Sequence, residues 1–262
     1  MDLDLTGRAY YVTGISRGIG QAVAMALLGD GASVAGCARD GGALERFAGE
    51  LPPDARGRLL AAVADVTDAG QLDRAVRQAA ARFGRLDGVV ANAGAGTTGG
   101  VLATPPATWD GQFAVKIHSV LNLVRPALPA LNESDAGRVV IINGVTAHAP
   151  EADMAAVSAS RAAVASLARS QAVELAPRQI LVNTVSLGPI VTDRQRDRHR
   201  ASGSAQPFRD WCDAEARRRG VLAGRLGTPA EVVPAVLLLL SPVSSYITGS
   251  SIDVSGGAGA RT

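Results

Sequence analysis

Short apolar runs rich in β-branched residues alternate along this chain with longer alanine-rich stretches, and few folds accommodate that alternation. The predicted strands are Ala9–Thr13, Ser33–Cys37, Leu59–Val63, Gly88–Asn92, Arg138–Asn143, Ile180–Val185 and Ser251–Val254. The predicted helices are Gly18–Gly29, Gly42–Glu50, Ala69–Phe83, Trp109–Leu131, Met154–Leu175 and Ala230–Leu240. Continuously apolar strands joined through helices form a parallel sheet that is covered on both faces. We therefore expect an α/β fold with a doubly wound, parallel, seven-stranded sheet of the Rossmann-like type.

The chain shows no internal boundary. It has 262 residues, 47% of them hydrophobic, which is enough for one large core. Neither a fixed-period repeat nor a Pro/Ser-rich linker divides it, so residues 1–262 are predicted to form a single domain. The segment of residues 188–224 breaks the strand–helix alternation. Because it follows a strand, we expect it at the carboxyl edge of the sheet, where such folds bind ligands.

Composition excludes several classes of partner. The net charge of +2 is too small to indicate nucleic-acid binding. Two cysteines, Cys37 and Cys212, cannot form a disulfide framework and favour a reducing compartment. No apolar run approaches the ~18 residues that a membrane helix needs, and the N-terminus shows no signal-peptide pattern. We expect a cytoplasmic protein with neither membrane nor nucleic-acid partners and no metal site. Only one of its 26 basic residues is a lysine, Lys116.

A glycine-rich turn, Thr13-Gly14-Ile15-Ser16-Arg17-Gly18-Ile19-Gly20, follows the first predicted strand. Its glycines permit a tight turn and a close approach of the backbone to a phosphate. The following helix would direct its free N–H groups and its dipole at that anion. Dinucleotide binding is therefore predicted for Gly14, Ser16, Arg17, Gly18, Ile19 and Gly20.

This T-G-x-x-x-G-x-G spacing resembles that of the short-chain dehydrogenase/reductase family, and further motifs extend the resemblance from about Leu5 to Gly257. Asp65-Val66 is similar to the family's contact to adenine, Asn92-Ala93-Gly94 to its motif after the fourth strand, and Gly188-Pro189-Ile190-Val191-Thr192 to its loop along the nicotinamide. The resemblance implies cofactor contacts from Asp65, Val66, Asn92, Ala93, Gly94, Gly188, Pro189, Ile190 and Thr192. It also implies that residues 188–224 form a substrate lid and that the chain is a homodimer or homotetramer.

The charged residues after the second predicted strand indicate which cofactor is preferred. An enzyme that selects the unphosphorylated dinucleotide needs a carboxylate after the second strand to accept from the ribose hydroxyls. Here that stretch ends in Arg39, which could pair with a 2′-phosphate together with Arg17. We therefore predict that NADP(H) is favoured over NAD(H). Asp40 follows directly and could weaken that preference, and Arg39 could instead be a solvated helix-entry residue.

The family's four catalytic residues, an Asn, a Ser, a Tyr and a Lys, are all replaced here. The alignment of flanking residues puts Lys116 at the Asn, Gly144 at the Ser, Val157 at the Tyr and Arg161 at the Lys. Valine carries no proton, and the loss of a positioned acid or base slows a reaction by about 10²–10⁴-fold. An ordinary alcohol–ketone interconversion by the family mechanism is therefore not expected.

Five residues are candidates for rewired chemistry. Lys116, buried near another cation, should have a lowered pKa and could serve as an acid or nucleophile, although a structural lysine is the alternative. Arg161 can donate to ribose hydroxyls but stays protonated. His148 could be an acid or base near neutral pH, or an ordinary loop histidine. Asn143 and Thr146 could donate hydrogen bonds to a substrate.

The lid segment carries a charged run, residues 193–200, followed by Phe208, Trp211 and Arg217-Arg218-Arg219. Such a run is typical of a solvated helix face. Alternatively, it recognises an anionic or carrier-bound small-molecule substrate, with Phe208 or Trp211 covering a flat, polycyclic ring system.

Three functions are compatible with these features. The first is NADP(H)-dependent hydride transfer to a quinone, enone or iminium substrate in specialised metabolism, because such acceptors need less help from a protein acid. The second is a non-redox enzyme on the same scaffold, such as a cyclase, isomerase or dehydratase. The third is a catalytically inactive homologue that acts as a partner or cofactor sensor.

Overall fold

The structure, a computed structural model, describes residues 2–260 and confirms a parallel seven-stranded sheet. The strands are β1 (Ala9–Thr13), β2 (Ser33–Ala38), β3 (Leu59–Val63), β4 (Gly88–Ala91), β5 (Arg138–Gly144), β6 (Leu181–Leu187) and β7 (Ser251–Val254). Their order is β3-β2-β1-β4-β5-β6-β7. The direction of winding reverses between β1 and β4, and open α/β sheets bind ligands at such a switch point.

Helices cover both faces of this sheet. The described helices are α1 (Gly18–Gly29), α2 (Gly41–Glu50), α3 (Pro53–Gly57), α4 (Ala69–Phe83), α5 (Pro106–Phe113), α6 (Ser119–Glu133), α7 (Ala155–Leu175), α8 (Asp193–Ala201), α9 (Phe208–Arg218) and α10 (Pro229–Leu240). One core packs α1, α2 and α10 against Tyr10 and Val12 of β1. A second core packs α4, α6 and α7 against the other face, which carries Tyr11. The doubly wound architecture is thereby confirmed.

The predicted helix Trp109–Leu131 is wrong in one respect, because it is not continuous. Helix α5 begins at Pro106, a π-helical turn spans Ala114–His118, and α6 then continues to Glu133. A π turn accommodates one extra residue and often occurs at functional sites. Hydrophobic periodicity gives no signal for that extra residue. The turn carries Lys116, the only lysine in the sequence.

The lid segment (residues 188–224) is more regular than its sequence suggests, because α8 and α9 form most of it. These helices have a small apolar core of their own, which includes Trp211, Cys212 and Ala216 and reaches Val145 at the end of β5. His199 lies 5.6 Å from Phe208 and 5.5 Å from Trp211 between ring centroids. The lid segment is therefore a packed element anchored to the edge of the sheet.

Residues 2–260 contain no helix with both the length and the apolar character that crossing a membrane requires. Both cysteines, Cys37 and Cys212, are buried and unpaired with each other.

Candidate active site

The glycine-rich turn and the loop after β4 are tied together at the switch point of the sheet. Asn92 donates its side-chain amide to the Thr13 carbonyl over 2.8 Å. The backbone N–H groups of Asn92 and Ala93 donate to the Thr13 hydroxyl over 2.9 Å and 3.0 Å. These bonds fix the crevice between β1 and β4, into which both loops open.

The glycine-rich turn fits a dinucleotide phosphate. Gly14 and Gly18 have φ angles of +74° and +59°, in the left-handed region that glycine adopts without strain. Helix α1 has no side-chain cap and no acidic residue in its first turn, so its N–H groups and positive dipole end remain uncompensated. A Cβ built on Gly18 would lie 3.5 Å from Cγ2 of Thr192, which brings the loop after β6 to the same crevice.

Gly20 provides a test of this turn. A Cβ at Gly20 would lie 2.5 Å from Nδ2 of Asn92 and 2.8 Å from the carbonyl carbon of Gly14. We expect Gly20→Ala to displace the turn, to lower the free energy of unfolding by about 1–3 kcal/mol, and to weaken NADPH binding. Gly29→Ala is the matched control, because a Cβ at Gly29, in the same helix, has nothing within 4 Å. Denaturant unfolding and NADPH titration of both variants would show this, and equal effects would contradict it.

Arg39 and Asp40 lie at the adenosine end of the crevice and have different environments. Arg39 is exposed, and its charge helps to lower the pKa of Asp65, although the main cause is the pair of hydrogen bonds that Asp65 accepts from Thr67. Asp40 is the N-cap of α2 and accepts from the backbone N–H of Ala43 over 3.0 Å. Asp40 therefore uses one carboxylate oxygen to cap the helix, while the exposed guanidinium of Arg39 remains available to a phosphate.

Arg161 fills the space in front of Gly144. A Cβ built on Gly144 would lie only 2.5 Å from Cζ of Arg161, so the guanidinium occupies the volume of any side chain at position 144. Arg161 donates to the Thr146 hydroxyl over 3.3 Å, and Asn143 donates to the backbone carbonyl of Arg161 over 3.0 Å. Burial and the charge of Arg194 lower the pKa of Arg161 to about 10, so it keeps its charge at neutral pH.

Lys116 reaches the same site from the π turn. A Cβ on Gly94 would lie 2.6 Å from Nζ of Lys116, so the amine packs directly against the loop after β4. Burial, together with the positive charges of Arg161 and Arg194, lowers the pKa of Lys116 to about 7. Among the residues placed at this site, Lys116 is the one whose protonation changes near neutral pH.

A cavity of about 340 Å³ opens next to these groups, between the end of β5, the start of α7 and the lid segment. Five arginines and one glutamate line it: Arg161, Arg194, Arg198, Arg218, Arg219 and Glu151. Apolar side chains complete the wall, notably Val145, Met154 and Leu187. The guanidinium of Arg194 also lies against the loop after β4, because a Cβ on Gly96 would be 2.5 Å from its Cζ.

The structure does not bring every predicted residue to this cavity. His148 is 44% exposed, its Nε2 lies 3.8 Å from Oδ2 of Asp253, and the described lining passes from Thr146 to Ala149 without it. Phe208 and Trp211 pack within the lid segment and do not line the cavity. Neither side chain is therefore placed to stack on a polycyclic ring bound there. The structure thus places His148 and both aromatic residues outside the lining of this cavity.

Sequence reasoning missed the inward position of Arg194. The sequence shows a charged run at residues 193–200, but the pattern of that run does not indicate which arginine faces the cavity. The one sequence signal for this position is that Arg194 lies two residues after Thr192, which belongs to the loop predicted to contact the cofactor. Val157 on α7 is fully buried, and so are Tyr10 and Tyr11 on β1.

The chain is similar in sequence and in fold to known proteins. A family model described as enoyl-(acyl carrier protein) reductase matches residues 14–259. A 3-oxoacyl-(acyl-carrier-protein) reductase of Salmonella typhimurium is 32% identical over 97% of this chain and 98% of its own length. A 2,3-dihydro-2,3-dihydroxybenzoate dehydrogenase of Escherichia coli is 32% identical over 98% of both chains. Similar too is the NADPH-bound structure of a short chain oxidoreductase from Pseudomonas aeruginosa PAO1 containing an atypical catalytic center, with a TM-score of 0.91, 38% identity, and coverage of 98% of this chain and 99% of that one.

Proposed function

This chain belongs to the short-chain dehydrogenase/reductase family, and from that premise we propose that it is an NADPH-dependent reductase with rewired acid–base chemistry. Its substrate is a hydride acceptor of the conjugated type, such as a quinone or an enone; the positive charges of Arg161, Arg194 and Lys116 disfavour an iminium ion, which is itself a cation. The observation that carries the proposal is the position of Lys116, whose amine packs against Gly94 beside Arg161 with a pKa of about 7. We also expect a cytoplasmic homodimer or homotetramer that serves specialised metabolism.

The preference for NADPH follows from the adenosine end of the crevice. Arg39 is exposed there, and Asp40, the acid that follows it, uses one carboxylate oxygen as the N-cap of α2. The similar oxidoreductase of Pseudomonas aeruginosa has been described with NADPH bound, which supports the same choice.

Replacing Arg39 tests this preference. We expect Arg39→Ala to weaken NADPH binding by about 10- to 100-fold, because a charge-assisted hydrogen bond is worth about 1.5–3 kcal/mol, and to leave NADH binding nearly unchanged. Arg77→Ala is the matched control, since Arg77 lies on α4 and pairs with Asp73. Cofactor fluorescence titrations would measure both constants. An equal loss for NADPH and NADH would assign Arg39 a structural role.

Lys116 and Arg161 have different roles in the proposed reaction: Lys116 donates a proton and Arg161 stabilises charge. When bound, the nicotinamide would supply the hydride. Lys116, partly protonated at neutral pH, then donates a proton from Nζ to the reduced substrate. Arg161 remains charged, donates to the nicotinamide ribose, and stabilises negative charge that develops on an acceptor oxygen. The backbone amides of the glycine-rich turn and of α1 hold the phosphates.

The absence of a phenol at position 157 indicates the class of hydride acceptor. Val157 is buried at the position of the phenol and provides no proton relay. A simple ketone needs protonation as it accepts hydride, whereas a conjugated acceptor spreads the incoming charge over several atoms. A site with two cations, Arg161 and the titratable Lys116, is suited to a conjugated acceptor.

The decisive experiment is an NADPH oxidation assay with a quinone, an enone and a cyclic imine, followed by transfer of deuterium from labelled NADPH to the product. Turnover with the label in the product would support the proposal. Tight NADPH binding without turnover of any acceptor would favour the inactive homologue. A product that forms without NADPH would favour the non-redox enzyme.

A further inference from the structure

We propose that the cavity binds a small organic anion, with an apolar body against Val145, Met154 and Leu187 and a carboxylate held between Arg194 and Arg161. The inference rests on the proposed function, because it names the substrate class of the same site. It follows from the unequal pairing of the arginines that line the cavity.

The arginines at the outer side of the cavity are paired with acids. Arg219 contacts Oε1 of Glu151 over 2.7 Å and Oε2 of Glu215 over 3.2 Å. Arg218 contacts Oε1 of Glu215 over 2.9 Å. Arg198 donates to the side-chain oxygen of Gln195 over 3.1 Å and lies 3.5 Å from Glu215. These three guanidinium groups are therefore compensated within the protein.

Among the described residues, the inner arginines, Arg161 and Arg194, form no ion pair, and only the more distant charge of Glu151 favours the charged form of Arg161. Among residues 2–260, Arg194 has neither a hydrogen-bond acceptor nor a carboxylate partner, and the charges that lower its pKa, those of Arg198 and Arg219, are positive. Arg161 has one side-chain acceptor, Thr146, and its Nε is buried with no acceptor in the described part of the chain. Lys116 adds a third cationic group beside them.

Such a cluster needs an anion from outside. Burying cations without partners is strongly unfavourable, and a bound carboxylate relieves that cost for the whole group. Guanidinium groups match the planar carboxylate through two parallel hydrogen bonds. The apolar wall excludes a fully polar ligand. Glu151 in the lining is already paired with Arg219, so the demand for negative charge comes from the arginines that have no acid partner. A carboxylate with an apolar body satisfies these features.

Calorimetric titration of the NADPH-loaded protein with cinnamate, and with cinnamamide as its neutral counterpart, tests the inference. We expect cinnamate to bind about 10- to 100-fold more tightly than cinnamamide, as hydrogen bonds to a charged group imply. Arg194→Met should remove most of that difference, and Arg194→Lys, which keeps the charge without the fork, should remove part of it. Arg209→Met is the matched control, because Arg209 is exposed on α9 and is not among the residues that line the cavity.

Three results would overturn the inference. The first is equal affinity for the acid and the amide, and the second is an unchanged affinity ratio in Arg194→Met. The third is a loss of NADPH affinity in Arg194→Met with the ratio preserved, which would assign Arg194 to the cofactor. Failure of the proposed reductase is distinguishable, because the cinnamate titration reports binding whether or not any acceptor is reduced. If NADPH does not bind, the same titration is read on the protein alone.

Discussion

Lys116→Met is expected to lower NADPH-dependent turnover by about 10²- to 10⁴-fold, the usual effect of removing a positioned acid, while NADPH still binds. The lysine amine, with its pKa of about 7, is the proton donor of the proposed reaction. In the wild-type protein, turnover should therefore be highest below about pH 7 and should fall about tenfold per pH unit above it. Lys116→Arg is the conservative comparison, because arginine retains the charge but does not titrate in this range.

The stability of the same variant gives an independent readout. A lysine whose pKa falls from 10.5 in the unfolded chain to about 7 in the folded one destabilises the fold, fully below pH 7 and progressively less towards pH 10.5. The free energy of unfolding of the wild type should therefore rise with pH in that window, and Lys116→Met should be more stable at neutral pH and lack this rise. Unfolding curves at several pH values would measure both effects. Unchanged turnover in a stabilised Lys116→Met would make the lysine a structural residue.

Gly144→Ser introduces the residue that the family resemblance would place at that position, yet it is expected to damage the site. The new Cβ would lie 2.5 Å from Cζ of Arg161, so the buried guanidinium would have to leave its place beside Thr146. We expect the free energy of unfolding to fall by about 1–3 kcal/mol and the ligand contacts of Arg161 to be lost. The mechanism is steric, so it should depend on the size of the group at position 161.

Combining Gly144→Ser with Arg161→Lys tests that mechanism. Lysine ends in a single ammonium in place of the fork, and it leaves room for a serine side chain. The double variant should therefore recover at least 1 kcal/mol relative to the sum of the two single variants, measured by denaturant unfolding in a double-mutant cycle. Arg161→Lys with Gly144 retained supplies the fourth corner of that cycle. Strict additivity would show that the two positions are independent.

The sheet could be predicted from the sequence because burial on both faces leaves a visible pattern. The run Ala9–Thr13 is buried throughout, and the structure sends Tyr10 and Tyr11 into cores on opposite faces. The glycine-rich turn was predictable for a similar reason, since Gly20 stands where any side chain would strike Gly14. At β1 and at Gly20, the local sequence preference and the tertiary environment require the same type of residue.

The candidate site was less predictable, because its geometry depends on contacts between distant segments. The approach of Lys116 to Gly94 requires a π turn that no hydrophobic period encodes. The inward position of Arg194 depends on how α8 packs over the sheet edge, and the sequence run contains several equivalent arginines. His148 was placed by its distance along the chain from Gly144, but its ring turns towards Asp253. Hydrophobic periodicity carries no signal for the direction of a charged side chain on such helices and loops.

The small apolar core of the lid segment has a consequence for engineering. Trp211, Cys212 and Ala216 pack chiefly on one another and on Val221, all within residues 188–224. Among the described residues, Val145, Leu226 and Ala258 join that core from outside the segment. The lid segment is thus a packing module with three external partners. A graft of residues 188–224 onto a related scaffold should keep the cavity arginines of the segment in place, provided that valine, leucine and alanine stand at those three positions.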